Sequence, residues 1–170
     1  MWFRKIRSAA DTAARSVDLG KGDGVMAAAT DTLSGGTIVA TKHELLALTP
    51  DGEQVWRRRW LDVDAGSWEN TTGTISVTWV DGGQGAQWTF GRDERRFAEV
   101  FRDRVEASRV IDVPVDRGER TIARAAIRKD LSSGELVPQV MYTRAVRRGD
   151  EDARARAEAA LAGLREQVGI

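Results

Sequence analysis

Few residues in this chain are equipped for chemistry. Its 170 residues include one histidine and no cysteine. Without cysteine there is no disulfide, no thiolate nucleophile and no thiolate ligand set for zinc or an iron–sulfur cluster. With one histidine there is no multi-histidine metal centre, and imidazole catalysis would have to run through His43. His43 falls between two short apolar runs, where a hairpin turn is expected. A general base needs a positioned nucleophile or substrate. No motif supplies one, so His43 reads as an exposed turn residue. Asp62 and Asp64 lie two apart, which puts both on one face of a strand. With Glu69 they could make a carboxylate pair or a Mg²⁺ or Ca²⁺ site. There is no Asp-x-Asp-x-Asp-Gly loop, however, and Arg57–Arg59 could neutralise these acids across strands. No G-x-S-x-G, Walker loop or G-x-G-x-x-G is present either. The expectation is no catalytic residue, no metal and no cofactor.

Two other residue types could form a binding surface. Five of the six tryptophans, Trp56, Trp60, Trp68, Trp79 and Trp88, crowd one stretch. They can fill a small core, or they can offer stacking faces for bases or sugars. Trp79 shares a strand face with Ile75 and Val77 and is expected in the core. Trp60 and Trp68 flank a sheet edge and are the candidates for exposure. The segment RTIARAAIRK sets Arg120, Arg124 and Arg128 on one strand face, opposite Ala123, Ala125 and Ile127. Residues 110–149 carry eight basic and five acidic side chains. That face could meet nucleic-acid phosphates, acidic lipids or an acidic partner, or it could be a solvated face balanced by its neighbours.

The elements that position these residues follow from periodicity. Residues 1–19 predict an amphipathic helix, with Trp2, Phe3, Ile6, Ala9, Ala13 and Val17 on its apolar face. Arg4, Lys5, Arg7 and Arg15 make it basic. Gly20, Gly22 and Gly24 end it. From Gly24 to Phe90 about seven short strands follow, with Pro50-Asp51-Gly52 and Asp81-Gly82-Gly83 as turns. Ile75, Val77 and Trp79 alternate with Thr74, Ser76 and Thr78, the mark of a half-buried strand. A helix starts after Asp93, a candidate N-cap, with Phe97, Val100, Phe101 and Val105 as its stripe, and ends near Ser108. Residues 110–146 return to three strands. A second amphipathic helix, 150–168, presents Ala153, Ala157, Ala160, Leu161, Leu164 and Val168. The last three strands either form a second module or enlarge the first sheet.

Seven short strands followed by one amphipathic helix resemble a pleckstrin-homology-like barrel. GGTIVATKHELLAL, WRRRWLDVDAGSW, GTISVTWV and FRDRVEASRV look like the corresponding stretches of bacterial pleckstrin-homology-like proteins, those of actinobacteria in particular. The resemblance covers residues 24–109. It implies an α+β fold: a small barrel closed by a helix, flanked by the N-terminal helix 1–19 and a β-β-β-α extension over 110–170. It implies a module that binds lipids, peptides or proteins and rarely catalyses, and a group with members that assemble into rings. One feature departs from lipid-binding members. Residues 20–52 hold Asp23, Asp31, Glu44 and Asp51 against Lys21 and Lys42, a poor field for a phosphoinositide.

Charge balances at 26 basic and 26 acidic side chains, with a pI of about 6.6. That argues against a dedicated nucleic-acid binder. No apolar run approaches a bilayer span, and no signal-peptide core is visible. The expectation is therefore a cytoplasmic binding or adaptor module. A protein partner or a second copy of the chain is the leading partner class. Membrane attachment through Trp2, Phe3, Arg4, Lys5, Ile6 and Arg7 is one alternative, and nucleic-acid contact through Arg120, Arg124, Arg128, Trp60 and Trp68 is the other.

Overall fold

The computed structural model describes residues 9–91 and 94–170. It is an α+β fold of three antiparallel sheets and three α-helices among the described residues. The first sheet is a meander of β1 (Val25–Thr30), β2 (Thr37–Thr41), β3 (Glu44–Leu48) and β4 (Gln54–Arg59). The second is β5 (Val63–Glu69), β6 (Thr74–Trp79) and β7 (Ala86–Thr89). The third sets β9 (Arg120–Lys129) between β8 (Arg109–Arg117) and β10 (Leu136–Tyr142). The helices are α1 (Ala9–Ala14), α2 (Arg95–Ser108) and α3 (Glu151–Val168).

Turn chemistry sets two of the hairpins in the same way. Asp31 opens the β1–β2 loop, where its carboxylate accepts from the Ser34 amide at 3.1 Å and hydroxyl at 2.6 Å. Asp130 opens the β9–β10 loop and accepts from the Ser132 amide at 2.8 Å and hydroxyl at 2.6 Å. In each loop a glycine at positive φ, Gly35 or Gly134, returns its amide to the aspartate carbonyl. A side chain at that φ would be strained.

The strand expected to run through Trp60 stops at Arg59. A single 3-10 turn, Trp60–Asp62, carries the chain from the first sheet to the second. The Asp62 carboxylate accepts from the Arg59 amide at 3.0 Å. Asp62 thus caps the turn and does not share a strand face with Asp64. At the opposite corner Thr32 donates its amide to the Thr89 carbonyl at 2.8 Å, and the Thr89 amide donates to Asp31 at 2.9 Å. No ladder joins the first two sheets among the described residues, so the strands do not close into a barrel.

Between these sheets sits one apolar core, built from Ile38, Leu45, Trp60, Val63, Ile75, Val77, Trp79 and Trp88. The alternation in β6 is kept: Ile75, Val77 and Trp79 are all buried. Each such side chain contributes about 1.5–3 kcal/mol by leaving water. α2 lays Phe97, Phe101 and Val105 onto this core. The N-cap expected at Asp93 lies outside the described residues.

Among the described residues α1 ends at Ala14, short of the end expected near residue 19, and its face is turned. Ala10 and Ala14 are buried, while Ala9 is exposed and Ala13 and Val17 are half-buried. The helix rests on the outer face of the first sheet, against Val39, Leu46 and Leu48. Alanines at 9, 10, 13 and 14 offer two small faces, and periodicity does not choose between them. The Ser16 hydroxyl donates to the Ala13 carbonyl at 2.7 Å where the helix ends.

The last three strands form a sheet of their own and enlarge neither of the earlier two. α3 covers one face, packing Ala153, Leu161 and Leu164 onto Val115, Ala123, Ala125 and Ile127. Asp150 caps α3 by accepting from the Ala153 amide at 3.0 Å.

Candidate functional site

Arg120, Arg124 and Arg128 share one face of β9, but that face is turned inward. Arg128 is 3% exposed. Its guanidinium donates to the Ser108 hydroxyl at 2.7 Å, the Val63 carbonyl at 3.1 Å and the Ser108 carbonyl at 3.3 Å. Burial pushes its pKa down to about 10, so it stays charged at neutral pH. Arg124 pairs with Asp64. Arg59 reaches Asp130 at 3.2 Å, and the Gln139 amide donates to the Leu61 carbonyl at 3.0 Å. These residues join the third sheet to the corner at Trp60–Asp62. The expected basic contact surface is therefore a structural joint, with Arg120 left exposed at its end.

Trp60 is also not a surface residue. It is 0% exposed, and its indole donates to the Thr41 carbonyl at 3.0 Å. The 3-10 turn explains the difference from expectation, because it points Trp60 into the core where a continued strand would have left it at an edge. Trp56 packs edge-on to Trp79, with ring centroids 5.6 Å apart, and Trp68 is half-buried. The tryptophans are packing first, and Trp68 alone of the two candidates reaches a surface groove.

His43 is half-buried, not exposed. Its amide donates to the Asp23 carboxylate at 3.2 Å, and that carboxylate also accepts from the Thr41 hydroxyl at 2.8 Å. This ties the β2–β3 hairpin together, and the same carboxylate lies 3.8 Å from the ring Nδ1. Asp64 is taken by Arg124, and Glu69 accepts from the Thr71 amide at 2.9 Å. Among the described residues no three His, Asp or Glu side chains gather at metal-binding distance. Trp2, Phe3, Arg4, Lys5, Ile6 and Arg7 lie outside the described residues. No described helix is long and apolar enough to cross a membrane.

The structure brings a different set together. β5 pairs with β6 on one side only. On its other side Arg128 takes the Val63 carbonyl and Arg109 takes the Asp64 carbonyl at 3.3 Å. Beyond that, Ala65, Gly66 and Ser67 are exposed, and no described strand pairs with their outer edge. α2 runs alongside. Gly66 permits this approach, since a Cβ there would collide with the Phe101 ring. Strand and helix enclose a groove of about 480 Å³. Its floor is Trp68, Ile75, Ala98, Phe101 and Val105. Its wall is a row of alternating charge, Arg95, Glu99, Arg102, Glu106 and Arg109. The Trp68 indole donates to the Asn70 side chain at 2.7 Å, which fixes the ring in the groove.

Periodicity singled out only the apolar stripe of α2 and not its charged side. The signal that could have found the wall is the seven-residue spacing of Arg95, Arg102 and Arg109, which places them on one line of a helix. The sheet edge expected beside Trp60 and Trp68 falls on β5, but nothing in the sequence placed α2 and its groove alongside it. Compared with known proteins, the chain matches no protein-family model, no curated protein and no solved structure.

Proposed function

We propose that this chain is a non-catalytic binding module of pleckstrin-homology-like architecture, and that it binds a partner protein by taking an extended segment of it along β5. The carrying observation is the exposed, unpaired edge of β5 at Ala65–Ser67 beside the groove. An open edge supplies a row of backbone donors and acceptors, and a neighbouring groove supplies sockets for alternate side chains. The apolar floor favours large aliphatic or aromatic side chains. The alternating wall favours a segment with charges of both signs. The four-strand and three-strand sheets with α2 packed between them support the architectural part of the reading.

The experiment selects ligands from a phage-displayed random peptide library against the full chain. Affinities of the selected peptides are then compared on Ala98→Arg, which places a long cation on the groove floor at a half-buried helix position. The expected result is peptides with micromolar affinity that weaken at least about tenfold on the variant, roughly 1.4 kcal/mol. Failure to select any peptide, or equal binding by Ala98→Arg, overturns the reading.

A further inference from the structure

A second surface lies where β10 leads into α3. Residues 143–149 hold Arg144, Arg147 and Arg148 and no acid. All three are exposed, as is Arg154 in the first turns of α3. None of the four side chains has an ion-pair or hydrogen-bond partner among the described residues. The loop is nonetheless held in shape. The Thr143 amide donates to the Ile122 carbonyl at 2.9 Å, and the Val146 amide to the Thr143 carbonyl at 3.1 Å. The nearest carboxylates are mostly engaged. Asp150 caps α3 and pairs with Arg117 at 2.8 Å, while Asp152 pairs with Arg117 at 2.8 Å and Arg156 at 3.0 Å.

Arg147, Arg148 and Arg154 line a depression of about 230 Å³ together with Tyr142 and with Asp150, whose carboxylate is already held by the Ala153 amide and Arg117. Tyr142 is 46% exposed, an open aromatic face beside a cluster of forked donors. Val146 is half-buried against the core under α3, so the loop offers no large aliphatic side chain to insert into a bilayer.

We propose that this loop binds the backbone of a single-stranded nucleic acid, with Arg147, Arg148 and Arg154 on phosphates and Tyr142 stacked on a base. Guanidinium groups match phosphate oxygens two at a time, and aromatic faces accept any base. The zero net charge of the chain does not oppose this, because the attraction is local and acts within about 10 Å at ordinary salt. The surface is separate from the β5 groove, and neither reading depends on the other.

The test is fluorescence anisotropy of a labelled oligothymidylate with the full chain at two salt concentrations. With three arginines on phosphates, affinity falls about 20-fold between about 50 and about 200 mM salt. The Arg147→Glu/Arg148→Glu pair weakens binding at least about tenfold at the lower salt and flattens the salt dependence. Arg147→Lys/Arg148→Lys keeps most of the binding, which separates charge from misfolding. Tyr142→Ala weakens binding and leaves the salt slope unchanged. No binding at the lower salt, or equal binding by the double Glu variant, overturns the proposal. So does sedimentation with phosphatidylglycerol vesicles in the absence of oligonucleotide binding, which would give the patch to a membrane.

Discussion

Arg128 divides two accounts of the third sheet, one in which it is a surface ligand and one in which it is a joint. Replacing it with alanine removes the donors to the Ser108 hydroxyl at 2.7 Å and the Val63 carbonyl at 3.1 Å, with longer bonds to the Ser108 and Trp60 carbonyls at 3.3 and 3.4 Å. An acceptor buried without a partner costs about 1–3 kcal/mol. The two short bonds set the lower bound, and relief of the buried charge offsets part of the rest. The expected loss is therefore about 2–4 kcal/mol. For a chain of this size that lowers a urea midpoint by about 1–2 M. Arg120→Ala, at an exposed position of the same face, is the control and should stay within about 0.5 kcal/mol. Urea titrations of both variants followed by tryptophan fluorescence give the comparison. Equal stability of Arg128→Ala and Arg120→Ala would refute the joint.

Three further outcomes are expected. Burial alone would raise the Asp31 carboxyl, but hydrogen bonds from Ser34, Thr89 and Leu33 hold it below its usual value. A carboxyl lowered on folding adds stability above its unfolded pKa, and that stability is lost as pH falls through the folded value. Asp31→Asn should cost about 1–2 kcal/mol at neutral pH, and the gap should narrow below about pH 4, read by urea titration at each pH. Trp60→Phe leaves the Thr41 carbonyl without its indole donor and opens a cavity, so it should cost about 2–3 kcal/mol in the same titration. Gly66→Val drives a side chain into the Phe101 ring and should destabilise by about 1–3 kcal/mol, seen as a lower melting temperature.

Much of the element order was legible because short-range signals carry it. Period-two alternation placed β6, and the stripe of Phe97, Phe101 and Val105 placed α2 with its end at Ser108. The alanine and leucine face of α3 was read the same way. What was not legible depends on where elements meet. The 3-10 turn at Trp60–Asp62 is a local break in a run that alternates well enough to pass for a longer strand. Arg124 and Arg128 sit on the face expected for them, yet only the docking of the third sheet shows that this face is covered. A sheet edge was expected beside Trp60 and Trp68, but which side of β5 stays open is a property of sheet order. The cationic loop after β10 falls within the basic stretch 110–149, but composition alone does not separate its arginines from those of β9.

The reading of this chain as a protein-binding module stands on the β5 edge. Amide hydrogen exchange, measured on the free chain and on the chain saturated with a selected peptide, examines that edge residue by residue. The outward-facing amides of Ala65–Trp68 should exchange rapidly in the free chain and slow at least about tenfold on binding, while buried Val77 on β6 stays protected in both. Protection of those β5 amides in the free chain, or no change in them when the peptide binds, would contradict it.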